Sequence, residues 1–302
     1  MLPNWYIEYK KLIDNSVENY LTEYFKSEEN VGLNIIKDAS IYACNWWKRI
    51  RSILALEFYL IFSWKSINEI NSNDAIIKFC IALELLHWYS LVHDDLPLMD
   101  NDDYRRWELT VWKRFWEANA VLVWDLLNSL SFEVISEIWD ISLIKYFGKA
   151  VWINWMLGWQ VLDLYYENNP EKLNLENLLE VHNKKTWALI EISISWWIII
   201  ANLWLDKVNK ENKSEVLKYK EFWEKIWLAF QVKDDLLDVE WTKEETGKSV
   251  WDWEEKWFVY FLWLEKTNNY LDNIILDCKN IILKLNSEKL NFLVKYIGKR
   301  KK

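Results

Sequence analysis

Apolar residues recur at intervals of three and four along most of the chain, with polar residues between them. This spacing places the apolar side chains on one face of an α-helix. Alternating patterns typical of β-strands are lacking, and the chain contains only three prolines. The pattern therefore predicts an all-α protein of ten or more helices. The segments in which it is strongest are 76–92, 118–139, 150–166, 185–205, 216–239 and 270–285.

The predicted helices are separated by short polar or proline-containing breaks. These fall at residues 71–74, at Pro97, at 168–170 and at 246–247. No repeat of fixed period, low-complexity linker or shift in composition marks a second domain. We therefore expect residues 1–302 to form one bundle-like helical domain.

Composition and charge narrow the possible functions. The chain is 52% hydrophobic and has a net charge of −9, which argues against a general nucleic-acid-binding protein. The three cysteines lie far apart and form no CxxC pair, as in reduced intracellular proteins. The longest apolar run, residues 192–205, is too short to span a bilayer. The first residues do not resemble a signal peptide. We expect a cytoplasmic protein without stable membrane insertion.

An acidic cluster follows the predicted helix 76–92. Asp94 and Asp95 end that helix, Pro97 interrupts it, and Asp100 follows with two further aspartates. The carboxyl end of a helix carries partial negative charge, so carboxylates there need a compensating cation. Carboxylate, water and phosphate oxygens are the ligands that Mg²⁺ prefers. An acidic loop that only terminates the helix is the alternative.

A second apolar helix also ends in acidic residues. Asp234 and Asp238 are four residues apart and share a helical face with Gln231, while Asp235 lies between them in sequence. Two such segments far apart in sequence predict a facing pair of carboxylate sets. The pair would hold two or three Mg²⁺ ions around a diphosphate and stabilise the charge that develops as its carbon–oxygen bond breaks.

Basic residues that could bind a diphosphate flank these segments, although each alone could be an ordinary surface charge. His87 lies two helical turns before the first cluster, where it could instead be a hydrogen-bonded core residue. His93 with Asp94 could form the metal-binding pair of a phosphohydrolase, but such enzymes need further histidines and only His182 remains. The flanking basic residues are Lys48, Arg49, Arg51, Arg105, Arg106, Lys185 and Lys248.

Five motifs, in order, resemble the trans-prenyl diphosphate synthase family from about residue 30 onward. HDDLPLMDNDDYRR resembles its first aspartate-rich motif and FQVKDDLLDV its second. WWKRIRS, KTWALI and GWQVLDL resemble family motifs that contain glycine where this chain has tryptophan. The resemblance implies an all-α, isoprenoid synthase-type fold.

The resemblance also implies a role for individual residues. Mg²⁺ would be bound by Asp94, Asp95, Asp100, Asp234 and Asp238. The allylic diphosphate would be bound by Arg105, Lys185, Thr186, Gln231 and Lys248. Isopentenyl diphosphate would be bound by Lys48, Arg51, His87, Arg106 and the backbone of Trp47. The residues expected to be catalytic are Asp94, Asp100, Asp234, Lys185 and Arg105.

The implied reaction condenses isopentenyl diphosphate with an allylic diphosphate (dimethylallyl or geranyl) to a short all-trans product, farnesyl diphosphate (C15), with a C20 product as the alternative. Tyr89 and the small Ser90, just before the first motif, would set the chain length. The family implies a homodimer. Two alternatives are a terpene cyclase of the same fold and a catalytically impaired or regulatory subunit. The isopentenyl-binding residues disfavour the cyclase, and the intact motifs disfavour the silent subunit.

The tryptophan content is abnormal. The chain has 24 tryptophans and 5 glycines, whereas about 21 glycines would be usual at this length. Glycine lets the backbone approach phosphate and adopt positive φ. We hypothesise that a codon read as glycine in the source organism is translated here as tryptophan. The tryptophans that fall where the family has glycine are Trp46, Trp47, Trp107, Trp116, Trp124, Trp159, Trp187, Trp223, Trp227, Trp251 and Trp263.

Overall fold

The computed structural model describes residues 2–27, 30–45, 48–105, 107–150, 156–181, 211–240, 259 and 262–300. The chain divides into two compact units, Met1–Ile144 and Lys145–Lys302. In the described part of both units, helices dominate and the all-α prediction is confirmed. The expectation of a single domain stays a prediction.

Within its described residues, the first unit contains six α-helices and the start of a seventh, with a short 3-10 helix at Ile67–Glu69. Their bounds are α1 Asn4–Tyr24, α2 Val31–Cys44, α3 Ile50–Ser63, α4 Ala75–Asp94, α5 Val111–Phe115, α6 Glu117–Ser136 and α7 Ile141–Ala150.

Helix α4 forms the core of the first unit. It packs against α1, α2, α3 and α6, and most of its side chains are buried. A helix that is apolar on all sides is expected to be buried in this way. Helices α4 and α6 are long and apolar enough to cross a membrane by length and composition alone, but 78% of the apolar window of α4 is buried within the protein. Core helices pass the same test.

A short hairpin follows the first aspartate motif. Strand β1, Tyr104–Arg105, pairs antiparallel with β2, Glu108–Leu109. The sequence did not predict it, because two residues are too few to show a period of two. The connection between the strands has two residues, a turn that favours glycine, and Trp107 adopts φ 73° there.

The second unit is built around a long helix. The bounds of its described helices are α8 Met156–Glu167, α9 Glu211–Glu240, α10 Leu264–Ile282 and α11 Glu288–Lys299. Helix α9 packs against α10 and α11, and α10 packs against α11. One face of α9 is buried through Phe222, Trp223 and Ile226.

The predicted helices agree with the structure where it describes them. Segments 76–92, 118–139 and 216–239 correspond to α4, α6 and α9. Segment 270–285 corresponds to α10 and a following turn, and 150–166 to the end of α7 and to α8. Segment 185–205 and the break at 246–247 lie outside the described residues. Helix α1 was not among the strong patterns because its buried positions, such as Tyr9 and Ile13, are diluted by charged neighbours.

Candidate active site

The first aspartate motif lies at the end of α4 and in the loop that follows. Asp94 is the last residue of α4 and is buried, and Asp95 caps the helix. Pro97 cannot continue the helical hydrogen bonds, and the chain turns back on itself. The backbone N–H of Asp100 donates to the carbonyl of Asp94 over 2.9 Å. The loop therefore brings the backbones of these two aspartates together, and the assignment of their carboxylates to one metal site stays a prediction.

Asp95 binds Arg105, which the hairpin carries. The Arg105 Nε donates to both carboxylate oxygens of Asp95, at 2.8 and 3.0 Å, and Nη2 donates to Oδ1 over 2.6 Å. Burial raises the pKa of Asp95 even though Arg105 acts in the opposite direction. Burial alone would lower the pKa of Arg105. The attraction of the Asp95 carboxylate is stronger than this effect, so the pKa of Arg105 is raised. In this structure the Asp95 carboxylate anchors Arg105, and its assignment as a metal ligand stays a prediction.

Two of the residues assigned to isopentenyl diphosphate are in contact. Arg51, in the first turn of α3, lies with Nη1 3.1 Å from Nε2 of His87 on α4. His87 precedes Asp94 by seven residues, so both side chains lie on one face of α4, about 10 Å apart along its axis. Helix α4 thus carries His87, which with Arg51 forms a basic pair, and ends at the first aspartate motif.

Arg49, counted among the flanking basic residues, has a structural role. Its guanidinium is buried and binds Glu84 Oε2 and Asp14 Oδ1, each over 2.8 Å. Burial opposes its charge, but Glu84 and Asp14 more than compensate, so the pKa of Arg49 is raised. This network joins α1, α3 and α4 and holds the start of α3, from which Arg51 projects.

The predicted chain-length residues lie one turn before the motif. Tyr89 is buried on α4, and its ring stacks on that of Trp124 in α6, with the centroids 6.0 Å apart. Ser90 turns its hydroxyl back to the carbonyl of His87, over 2.7 Å. The bulky ring of Tyr89, and not Ser90, therefore contacts the neighbouring helix.

The second aspartate motif lies near the end of α9. Asp234 is partly exposed, Asp235 is buried, and Gln231 lies one turn earlier on the face of Asp234. Asp234 Oδ1 accepts from Nη2 of Arg300 over 2.7 Å. The sequence gives no local sign that Arg300 is a partner of Asp234, because the two residues lie far apart along the chain.

Several predicted residues lie outside the described residues, and their assignments stay predictions. The backbone of Asp238 belongs to α9, but its side chain is not described. Lys48 is described, half-buried beside the start of α3. The others outside the described residues are Trp47, Arg106, Lys185, Thr186 and Lys248.

The donor set of the first motif fits Mg²⁺. Among the residues that the structure describes, no three metal-binding side chains converge. Mg²⁺ keeps several waters and is usually held by one or two carboxylates together with substrate phosphates, not by a protein cage. The neighbouring Asp94 and Asp100 meet that requirement.

An all-α protein with two aspartate-rich helix ends has the architecture of an isoprenoid synthase. Residues 34–280 match the polyprenyl synthetase family. The farnesyl diphosphate synthase of Micrococcus luteus is 36% identical over 266 residues, which cover 84% of this chain and 85% of that protein. The chain belongs to the polyprenyl synthetase family, and the resemblance found in its motifs is confirmed.

Solved structures agree with this membership. An FPP/GFPP synthase from Zymomonas mobilis aligns with a TM-score of 0.78 at 28% identity, over 96% of this chain and 99% of that one. A geranyltransferase from Helicobacter pylori, complexed with magnesium and isoprenyl diphosphate, aligns with a TM-score of 0.73 at 28% identity, over 98% of this chain and 97% of that one. These relatives place the chain among the short-chain prenyltransferases.

Proposed function

We propose that this protein condenses isopentenyl diphosphate with dimethylallyl or geranyl diphosphate to make farnesyl diphosphate, and that the reaction requires Mg²⁺. The observation that carries the proposal is the arrangement on α4. The backbones of Asp94 and Asp100 meet at its end, and His87 contacts Arg51 two turns earlier on the same face. A metal-binding end and a basic pair are the two features that a reaction between two diphosphates needs.

The bound Mg²⁺ would neutralise the charge that grows on the departing diphosphate. Asp94 and Asp100 would hold the ions on one side, and Asp234 with Asp238 would complete the set. Arg51 would bind isopentenyl diphosphate as a charged hydrogen-bond donor, and His87, whose Nε2 faces the Arg51 guanidinium, would contact it through its other ring nitrogen. As the allylic carbon–oxygen bond breaks, the isopentenyl double bond forms the new carbon–carbon bond, and a proton is then lost to the departing diphosphate.

The remaining assignments belong to the same proposal. Gln231, Lys185, Thr186 and Lys248 would contact the allylic substrate, and Lys48, Arg106 and the backbone of Trp47 the isopentenyl diphosphate. Arg105 would reach the allylic diphosphate while anchored on Asp95. The fold family supports a cytoplasmic homodimer.

An assay of the purified protein with isopentenyl diphosphate and each allylic diphosphate tests this function. We expect farnesyl diphosphate, detected by mass spectrometry, with activity abolished by EDTA and restored by Mg²⁺. Asp94→Ala and Asp234→Ala should lower kcat by about 10²-fold or more, because each removes charge stabilisation in the transition state. Asp272→Ala, which changes an exposed aspartate on α10, should leave kcat unchanged.

Other outcomes identify the alternatives. A hydrocarbon product formed without isopentenyl diphosphate would indicate a terpene cyclase. No product from the protein alone, with activity only after addition of a second chain, would indicate a regulatory subunit. Full activity of Asp94→Ala would contradict the proposed metal site.

A further inference from the structure

Arg300 follows α11 and is buried against α9. Its Nη2 donates to Asp234 Oδ1 over 2.7 Å and to the carbonyl of Phe230 over 2.8 Å. Its guanidinium carbon lies 3.5 Å from the centroid of the Phe230 ring. Phe230 and Asp234 are one helical turn apart, so they present the ring and the carboxylate on the same face of α9. Arg300 therefore binds α9 through a ring, a carbonyl and a carboxylate at once.

The burial of Arg300 contrasts with the exposure of its partner. Only 4% of the Arg300 side chain is exposed, whereas 38% of the Asp234 side chain is. Burying a guanidinium costs free energy unless charge and hydrogen bonds compensate it. Its release would break all three contacts. Arg300 is therefore a fixed part of the site, and the exposed part of the Asp234 carboxylate is left to face a ligand.

We propose that Arg300 is a positioning residue that orients Asp234 to bind Mg²⁺. This inference rests on the proposed function, in which Asp234 is a metal ligand. A carboxylate that binds a metal is usually held by a hydrogen bond from a neighbouring group, which fixes its orientation. Arg300 supplies that bond to Oδ1, which would leave Oδ2 for the metal. The alternative is that the guanidinium competes with the metal for the same oxygen.

Calorimetric titration of Mg²⁺ into the full-length protein with saturating inorganic pyrophosphate distinguishes an Arg300 that orients Asp234 from an Arg300 that competes with the metal for it. We expect Arg300→Gln to weaken Mg²⁺ binding by about tenfold or more and Arg300→Lys to give an intermediate loss. Lysine keeps the charge but cannot bond Asp234 and Phe230 in the same geometry. Lys299→Gln is the matched control: it removes a positive charge from an exposed neighbouring position and should leave the affinity unchanged.

The outcomes distinguish this inference from the proposed function. Wild-type protein that binds no Mg²⁺ with pyrophosphate would contradict the proposed function itself. Wild-type protein that binds Mg²⁺, together with Arg300→Gln that binds it equally well or more tightly, would contradict only the role of Arg300. Circular dichroism checks that the variants are folded. If Arg300→Gln is not folded, Phe230→Leu replaces it. That variant keeps the charge of Arg300 but removes the aromatic ring beneath its guanidinium, and it should weaken Mg²⁺ binding. Unchanged Mg²⁺ binding by Phe230→Leu would overturn the inference.

Discussion

At the scale of the residue, five of the tryptophans that the structure describes adopt a backbone conformation that glycine adopts at least cost. Trp116 has φ 77° and ψ 151°, and Trp263 has φ 64° and ψ 152°, a region that is essentially restricted to glycine. Trp64 and Trp139 follow α3 and α6 with positive φ and are each 93% exposed, so packing of the indole does not explain them. A residue with positive φ just after a helix is usually glycine.

Sequence and backbone give independent grounds for the glycine hypothesis. The family resemblance flagged Trp107, Trp116 and Trp263, because the family has glycine there. They did not flag Trp64 and Trp139, which lie outside any motif and are distinguished only by their φ angles. Local backbone conformation at such sites depends on how the flanking helices pack, so single-sequence reasoning could not locate them.

The first prediction concerns these two positions. Trp64→Gly and Trp139→Gly should each raise the free energy of unfolding by about 1 kcal/mol, because a left-handed conformation costs a residue with a Cβ that much. Urea denaturation measures the change. The control is Trp112→Gly, which should lower stability: Trp112 is helical, and its Nε1 donates to the carbonyl of Asp102 over 2.8 Å. Loss of stability in both Trp64→Gly and Trp139→Gly would count against the hypothesis.

At the scale of the element, the hydrophobic pattern located α4 within two residues at each end but could not show which charges lie beside it. Arg49 reads in sequence as part of a basic surface cluster. In the structure it is buried between Asp14 of α1 and Glu84 of α4. Its partners come from two other helices, so their approach depends on tertiary packing and not on spacing along the chain.

The second prediction tests this buried network. Arg49→Met should lower the free energy of unfolding by about 3–5 kcal/mol, because Glu84 is left as a buried charge without its guanidinium. The double variant Arg49→Met with Glu84→Gln should recover part of the loss. Lys26→Met, which breaks the exposed pair with Glu23, should cost at most about 1 kcal/mol. Equal effects of Arg49→Met and Lys26→Met in thermal or urea unfolding would show that burial does not matter.

The third prediction concerns product length and belongs to α4 as an element. Tyr89 is buried one turn before the motif and stacks on α6, where its ring can stop a growing chain. Tyr89→Ala should shift the product from C15 toward C20 or longer, as measured by mass spectrometry of the dephosphorylated products. Ser90→Ala, which removes only a hydroxyl bonded to its own helix, should leave the product unchanged. An unaltered product from Tyr89→Ala would place the stop at another residue.

At the scale of the whole molecule, the sequence predicted the helical class, and its resemblance to the family assigned the two aspartate motifs to Mg²⁺ and both Arg51 and His87 to isopentenyl diphosphate. It did not predict that Arg51 and His87 contact each other. It did not predict the hairpin, the bidentate bond between Arg105 and Asp95, or the bond between Arg300 and Asp234. Each of these depends on side chains that come together only after the chain has folded. The resemblance assigns residues to ligands, whereas the structure shows which of them are held by other protein groups.

The last prediction concerns the chain as a whole. A gene that encodes glycine at the eleven tryptophan positions where the family has glycine should give a more stable and more active protein than the sequence as printed. We expect an indole at position 47, 107 or 187 to crowd the diphosphate site, and a disturbance of about 1.4 kcal/mol in the transition state already costs tenfold in rate. We therefore expect kcat/KM to rise by about tenfold or more, measured with both proteins side by side under saturating Mg²⁺.

Peptide mass spectrometry of the protein from its source organism provides the independent measurement: glycine is expected at positions 107 and 187. Tryptophan at either position would refute the reassigned codon, and the printed chain would then be the native protein, with an active site that we expect to be impaired.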